Sequence, residues 1–170
     1  TERDGGIWTY KYNTTFGSLT EKTDPDGNKT TYGYDANGNN TSITDPKLNT
    51  TTYTYYTNGN ILTETDPAAK TTTYTYNSLN RILTITDPLN NITSFTYDVK
   101  GNRLSMTDPT GATTSYTYDT KGNITSITNP LNQVTTLVYD TSNNLTSVTD
   151  HTGAVTSFTY DTSGNILTKT

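Results

Sequence analysis

The chain has 170 residues, a net charge of -5 and no cysteine. Few Lys or Arg speak against nucleic acid or an anionic membrane as partner, and the missing cysteines exclude disulfides, thiolate chemistry and cysteine zinc sites. Only 29% is hydrophobic and 16% charged, a composition that would read as disorder but for fourteen Tyr and many β-branched Thr, which favour strands.

Taken in chain order, the elements repeat. Tyr10 and Tyr12 open a series that continues through Tyr34, Tyr55, Tyr76, Tyr97, Tyr118, Tyr139 and Tyr160 at a spacing of 21 residues. Two residues before each of these last seven stands Tyr32, Tyr53, Tyr74, Phe95, Tyr116, Leu137 or Phe158. Prolines keep the same period in Asp24-Pro25, Asp45-Pro46, Asp66-Pro67, Asp87-Pro88, Asp108-Pro109 and Asn129-Pro130, and Asp150-His151 takes the seventh place. One slip falls in "NTTFG", an insertion at Thr15 or Phe16 that a loop can absorb. Thr1 ahead of Glu2-Arg3 stands where Thr precedes Asp-Pro elsewhere, and Thr170 has the same phase. The expected organisation is one array over 1–170 of about eight repeats, a slice of a longer array or a unit that continues itself.

Each period carries two turn signals. After Tyr come "DANG", "DVKG", "DTKG" and "DTSG", suited to a type I turn with a Gly bulge. The "DPDG", "DPTG" and "DPLN" segments put Pro at the second turn position, where its fixed φ fits. "YYTNG" and "YNSLN" weaken the first signal. Between turns, "TTYTYY" and "TSFTY" alternate with period two, whereas "NITSIT" and "RILTIT" place apolar residues on both faces. Helical spacing is absent. The expected fold class is all-β: an antiparallel meander of ~21-residue β-hairpin repeats, roughly 16 strands, advancing ~10 Å per repeat. Hairpins are marginal alone and hold by stacking. So long a sheet should curl into a spiral, tube or shell wall, or pack on a copy of itself.

"YDVKGNRLSMTDPTGATTSYTYD", Tyr97 to Asp119, resembles the YD repeat of the Rhs proteins, and the likeness covers essentially the whole chain. Most repeats here read Gly-Asn-Ile or similar where the family often has Gly-Arg-Leu; Arg stands only at Arg3, Arg81 and Arg103. The resemblance to bacterial Rhs and toxin-complex proteins, wall-associated proteins and teneurins implies a spiralling sheet around a hollow shell, secreted or surface-exposed.

The residues themselves point to geometry rather than catalysis. Stacked turns set successive Asp carboxylates ~10 Å apart, too far for one ion, so turn capping is the reading of the Asp ladder. "DPDGN" lacks the remaining spaced ligands of a calcium loop. His151 has no His or Cys to join, which leaves it a turn residue. No enzyme activity, cofactor or metal is expected. The Tyr columns pack within the sheet or offer platforms to a sugar. Asn13, Asn28, Asn39, Asn40, Asn49, Asn91, Asn123 and Asn144 head Asn-x-Ser/Thr sequons, accidental in so Asn- and Thr-rich a chain or sites of glycans. The expected role is a structural scaffold outside the cell. It is a shell wall, a filament built by head-to-tail contact of identical chains, or a carbohydrate-binding adhesin. Its expected partners are neighbouring repeats, with no membrane span.

Overall fold

The computed structural model describes residues 6–170; Thr1, Glu2 and Arg3, on which the phase of the N-terminus was read, lie outside the described residues. The chain is all-β. Its strands are β1 (Thr9–Tyr12), β2 (Leu19–Thr23), β3 (Lys29–Tyr34), β4 (Asn40–Thr44), β5 (Thr50–Tyr55), β6 (Ile61–Thr65), β7 (Thr71–Tyr76), β8 (Ile82–Thr86), β9 (Ile92–Tyr97), β10 (Arg103–Thr107), β11 (Thr113–Tyr118), β12 (Ile124–Thr128), β13 (Val134–Tyr139), β14 (Leu145–Thr149), β15 (Val155–Tyr160) and β16 (Ile166–Lys169). They form an antiparallel meander whose hydrogen-bonded order is the chain order. Two compact units divide it: one runs to Tyr76 and includes Ile85–Asn91, and the other comprises Asn77–Thr84 and Ile92–Thr170.

Period-two alternation gives the sheet two different faces. Cross-strand partners on one face are Tyr32 with Ile43 and Tyr53 with Glu64 in the first unit, and Phe95 with Met106, Tyr116 with Ile127 and Leu137 with Val148 in the second. The other face is rich in hydroxyls. Thr54 and Thr63 meet at 2.6 Å, Thr96 and Ser105 at 2.6 Å, Thr117 and Ser126 at 2.7 Å, Thr159 and Thr168 at 2.7 Å. The alternate pairs Thr44–Thr50, Thr65–Thr71 and Thr107–Thr113 repeat the contact at 2.8–2.9 Å. Such cross-strand pairs are the unit by which a sheet is held.

The reading that both faces are partly apolar holds, since Val134, Val138 and Val155 stand on the hydroxyl side opposite Thr128, Ser147 and Thr149, but the adjacent apolar pairs have a different cause. The hairpins that close after Tyr slip register at the Tyr itself, as between Thr54 and Tyr55 or Thr117 and Tyr118. Thr54 pairs with Thr63 and Tyr55 with Ile61, so Ile61 and Leu62 together oppose Tyr55. A bulge of this kind sets two residues against one, which takes up the adjacent apolar pair without turning the next residue, Thr63, away from the hydroxyl face. The hairpins that close at Asp-Pro keep an even register, as in Thr44 with Thr50.

No described residue is buried. The strands between the two edges are mostly half-covered, because each side chain is shielded by its neighbours in the sheet and by no second layer.

Candidate functional site

The candidate site residues are the turn residues and the two aromatic columns, and both are built by local sequence. From Asp24 onward every turn has the same backbone bonds. The Asp24 N–H donates to the Asn28 carbonyl at 3.0 Å, and the Gly27 N–H donates to the Asp24 carbonyl at 3.0 Å. Asp45, Asp66, Asp87, Asp108, Asn129 and Asp150 head equivalent turns, with Pro25, Pro46, Pro67, Pro88, Pro109, Pro130 and His151 second. Asp35, Tyr56, Asn77, Asp98, Asp119, Asp140 and Asp161 head the turns after Tyr with the same two bonds. The residue three places after the head takes positive φ. It is Gly27 and Gly38 in the first two of these turns, but Leu48 at 66° and Ala69 at 60° in others. The inserted residue lengthens the β1–β2 turn, where the Asn13 N–H donates to the Ser18 carbonyl and Asn13 Oδ1 accepts the Phe16 N–H at 2.8 Å. It leaves the Phe16 ring over Gly38.

The Asp side chain is a staple. Asp24 Oδ1 accepts the N–H groups of Asp26 at 3.0 Å and Asn28 at 2.8 Å, and its Oδ2 accepts Asn28 Nδ2–H at 2.8 Å. Asn39, Asn49, Asn91, Asn102, Asn123, Asn144 and Asn165 close the same loop on Asp35, Asp45, Asp87, Asp98, Asp119, Asp140 and Asp161. At Asn129 the side-chain bond is reversed, Asn129 Nδ2 donating to Gln133 Oε1, and the Thr110 and Thr152 hydroxyls donate to Asp108 and Asp150. Hydrogen bonds to the ionised form favour it. The Asn side chain therefore holds Asp24, Asp35, Asp45, Asp87, Asp119, Asp140 and Asp161 below the usual carboxylate range. The Thr hydroxyl does so for Asp108 and Asp150. At Asp98 burial pushes up most strongly, but Asn102 and the backbone donors together bring it below the usual range.

These Asn residues are what sequence reasoning missed. Asn28, Asn39, Asn49, Asn91, Asn123 and Asn144 were read as sequon heads, and each has its Nδ2 engaged by an Asp. Asn40 Nδ2 donates to the Gly33 and Ser42 carbonyls, and Asn13 uses its Oδ1 instead. The recurrence of Asn four places after Asp was the signal.

Tyr34, Tyr55, Tyr97, Tyr118, Tyr139 and Tyr160 end their strands at the bulge, and Tyr76 ends β7. Tyr34, Tyr97 and Tyr160 hydroxyls reach back fifteen residues to the carbonyls of Leu19, Ile82 and Leu145, each at 2.8 Å. Tyr55 and Tyr118 do the same to Asn40 at 2.5 Å and Arg103 at 2.7 Å. One side chain thus ties the strand before its own to the hairpin after it. Tyr76 packs edge-on against Tyr56 at 6.0 Å. The second column, Tyr32, Tyr53, Tyr74, Phe95, Tyr116, Leu137 and Phe158, lies two residues earlier in each strand. Burial pushes up the phenols of Tyr53, Tyr55, Tyr74, Tyr76 and Tyr118.

Successive turns on the Tyr-Asp side are joined. Lys100 Nζ donates to the Thr120 carbonyl at 3.2 Å and Lys121 Nζ to the Thr141 carbonyl at 2.7 Å. Ser142 holds the lysine's place in the next turn. A cleft of about 570 Å³ opens there, lined among others by Asp140, Ser142, Asn144, Phe158 and Tyr160, against 360 Å³ at the strutted counterpart beside Lys100. Arg81 lies against Gly101, where any Cβ would collide with its guanidinium.

Among the described residues no His, Cys, Asp or Glu cluster could hold a metal, and no helix is long and apolar enough to cross a membrane. The turns, bulges and Tyr locks are those of a repeated sheet. The teneurin YD-shell profile matches residues 19–170. The chain belongs to the teneurin YD-shell family. Its YD-shell fold is shared with solved Tc toxin structures. A mutant Tc holotoxin pore of Photorhabdus luminescens aligns over 91% of this chain with a TM-score of 0.73 and 20% identity. The TcdB2-TccC3-Cdc42 and TcdB2-TccC3 crystal structures align over 93% and 95%, each with a TM-score of 0.73 and 20% identity. The YD-shell segment spans 10% of each of those chains. No curated protein matches the sequence.

Proposed function

We propose that this chain is a wall segment of an extracellular or cell-surface β-shell, a structural scaffold without enzymatic activity. The observation that carries the reading is a sheet with no buried residue among those described and two chemically distinct faces, one aromatic and one rich in hydroxyls. A single layer of this kind separates two spaces; it does not enclose a catalytic pocket. Its strands have adjoining repeats as their natural partners, since an edge strand presents unpaired N–H and C=O groups. Family membership supports the shell over an isolated sheet. Negative-stain microscopy of the full-length protein tests it: closed hollow particles are expected, and long uniform fibres would replace the shell with the filament.

The cleft lined by Phe158, Tyr160, Ser142, Asn144, Asp140 and Asp161 favours one narrower reading, a sugar whose hydroxyls meet the polar groups and whose ring meets an aromatic side chain. A glycan array probed with wild type and Phe158→Ala tests it; a sugar bound by wild type and lost in the variant is expected, and an array with no binder removes it.

A further inference from the structure

One place on the aromatic face carries a carboxylate where the other paired hairpins carry an apolar side chain or, at Lys22 opposite Tyr10 and Lys169 opposite Phe158, a cation. The residue opposite the second aromatic column is Ile43, Met106, Ile127 and Val148 in four hairpins. In β6 it is Glu64, paired with Tyr53 across the strands. On its other side the Tyr74 hydroxyl donates to Glu64 Oε2 at 3.4 Å. A half-covered carboxylate thus stands between two phenol rings, and its charge adds to the effect of burial in raising both phenols. The ion pairs among the described residues join Lys11 and Lys29 to Glu21, on other strands.

Elsewhere the chain supplies its own cations to its aromatic rings. Lys22 Nζ lies 4.4 Å from the Trp8 ring centre. The Arg103 guanidinium lies 4.9 Å from Tyr116 and 6.0 Å from Phe95, and its Nη2 donates to the Tyr116 hydroxyl at 3.2 Å. Lys169 Nζ lies 5.9 Å from Phe158. Cations over ring faces are attracted by the ring quadrupole. Tyr53 and Tyr74 have instead a carboxylate between them, and taking a carboxylate partly out of water is unfavourable unless it is paired. The fold does not require it, because apolar side chains fill the place in four other hairpins.

We propose that Tyr53, Glu64 and Tyr74 form a docking site for an arginine side chain on a partner polypeptide. Charge complementarity selects a cation, since the carboxylate has no ion-pair partner among the described residues. Arginine suits the site better than a compact ammonium: its planar guanidinium can stack on a ring while its N–H fork donates to the carboxylate. Arg103, against Phe95 and Tyr116, shows this face taking a guanidinium against two rings, with a phenol in place of the carboxylate as acceptor.

The test uses the full chain with its tyrosine rings labelled for NMR and an acetylated, amidated tri-arginine peptide as probe. Saturable shifts at Tyr53 and Tyr74 that weaken as salt rises are expected. Glu64→Ile, which copies the residue of the neighbouring hairpins, is expected to weaken binding at least tenfold. Glu64→Gln, which keeps shape and loses charge, is expected to do the same and stands in if the isoleucine variant fails to fold. Equal binding of a tri-glutamate peptide would overturn the site. So would unchanged affinity in a folded Glu64 variant, or shifts spread evenly over all tyrosines.

Discussion

The two rims of the sheet turn the chain through the same backbone hydrogen bonds, yet they differ in what lies around the turn. At the Tyr-Asp rim a bulge precedes the turn, a Tyr hydroxyl locks the strand behind it, and Lys100, Lys121 and Asn123 reach from one turn to the next. At the Asp-Pro rim register is even, and Leu48, Leu89 and Leu131 point into solvent at 83%, 80% and 77% exposure. Within each unit no hydrogen bond joins successive Asp-Pro turns among the described residues. Pro fixes φ at one position of each Asp-Pro turn, so this rim is stiff turn by turn. The other rim is flexible in sequence but tied between turns. A repeat protein is stable through its neighbour interfaces, and here that interface includes one rim as well as the strands.

The largest way to break this arrangement acts on both rims together. Ten of the turn Asp residues, those closed by an Asn or Thr side chain, have their carboxyls below the usual range in the folded chain, where the unfolded value is about 3.9. A lowered folded value gives stability that is present above about pH 4 and lost as pH falls through the folded value. Because Asp24, Asp35, Asp45, Asp87, Asp108, Asp119, Asp140, Asp150 and Asp161 all share the shift, acid should unfold the array cooperatively below about pH 4. Circular dichroism between pH 7 and 2 checks it; an unchanged urea midpoint down to pH 2.5 would show that the staples hold no stability.

The Tyr lock belongs to the Tyr-Asp rim alone, and Tyr55→Phe isolates it. The ring stays and the bond to the Asn40 carbonyl goes. A loss of about 1 kcal/mol is expected from urea melts. Tyr53→Phe, in the column without such a bond to the backbone, should change stability by much less; equal losses would mean that the hydroxyl does not discriminate the columns.

A substitution at the Asp-Pro rim should act in the opposite sense. Ala69 adopts φ of 60°, a left-handed conformation that costs a residue with a Cβ about 1 kcal/mol. Ala69→Gly should stabilise by a fraction of that, because glycine also gains freedom in the unfolded chain. Asn143→Gly at the other rim should give less, since Asn tolerates this region better. Urea midpoints for the pair rank the two rims directly.

Much of this was written in the period. Tyr34 to Tyr160 at 21-residue steps marks strand ends, and Asp-Pro or Asp-x-x-Gly marks turns, because these residues act on their own backbone. The bulge at the Tyr, unlike the Gly bulge of the turn, was not legible. Ile61 and Leu62 in sequence look like a strand apolar on both faces, and only their register against Tyr55 shows that both oppose one residue. The Asn staples were visible but hidden under a sequon pattern, since Asn28 or Asn123 followed by x-Thr satisfies both readings. Glu64 and the lysine struts were beyond reach for a different reason. Their meaning depends on residues in neighbouring hairpins, such as Lys121 against Thr141, twenty places on.

The smallest predicted effect tests whether the ties between turns are sequence rules or accidents. Lys100 and Lys121 stand two places after their Asp and reach the carbonyl one place after the next Asp, Thr120 or Thr141. Ser142 stands in the same position, and Thr162 follows the next Asp. The backbone around both is the same turn, so a lysine at 142 has its acceptor already in place. Ser142→Lys should therefore donate to the Thr162 carbonyl and close the 570 Å³ cleft toward the size of its strutted counterpart. An exposed charged strut loses side-chain entropy as it forms, and surface interactions of this kind are worth about 0.2–1 kcal/mol, so a gain at the low end is expected. Hydrogen exchange at the Asp161 turn is the sensitive measurement, because a strut slows local opening even where the global midpoint barely moves. Unchanged exchange there would mean that Lys100 and Lys121 merely rest on their neighbours, and that the Tyr-Asp rim owes its cohesion to the Tyr locks alone.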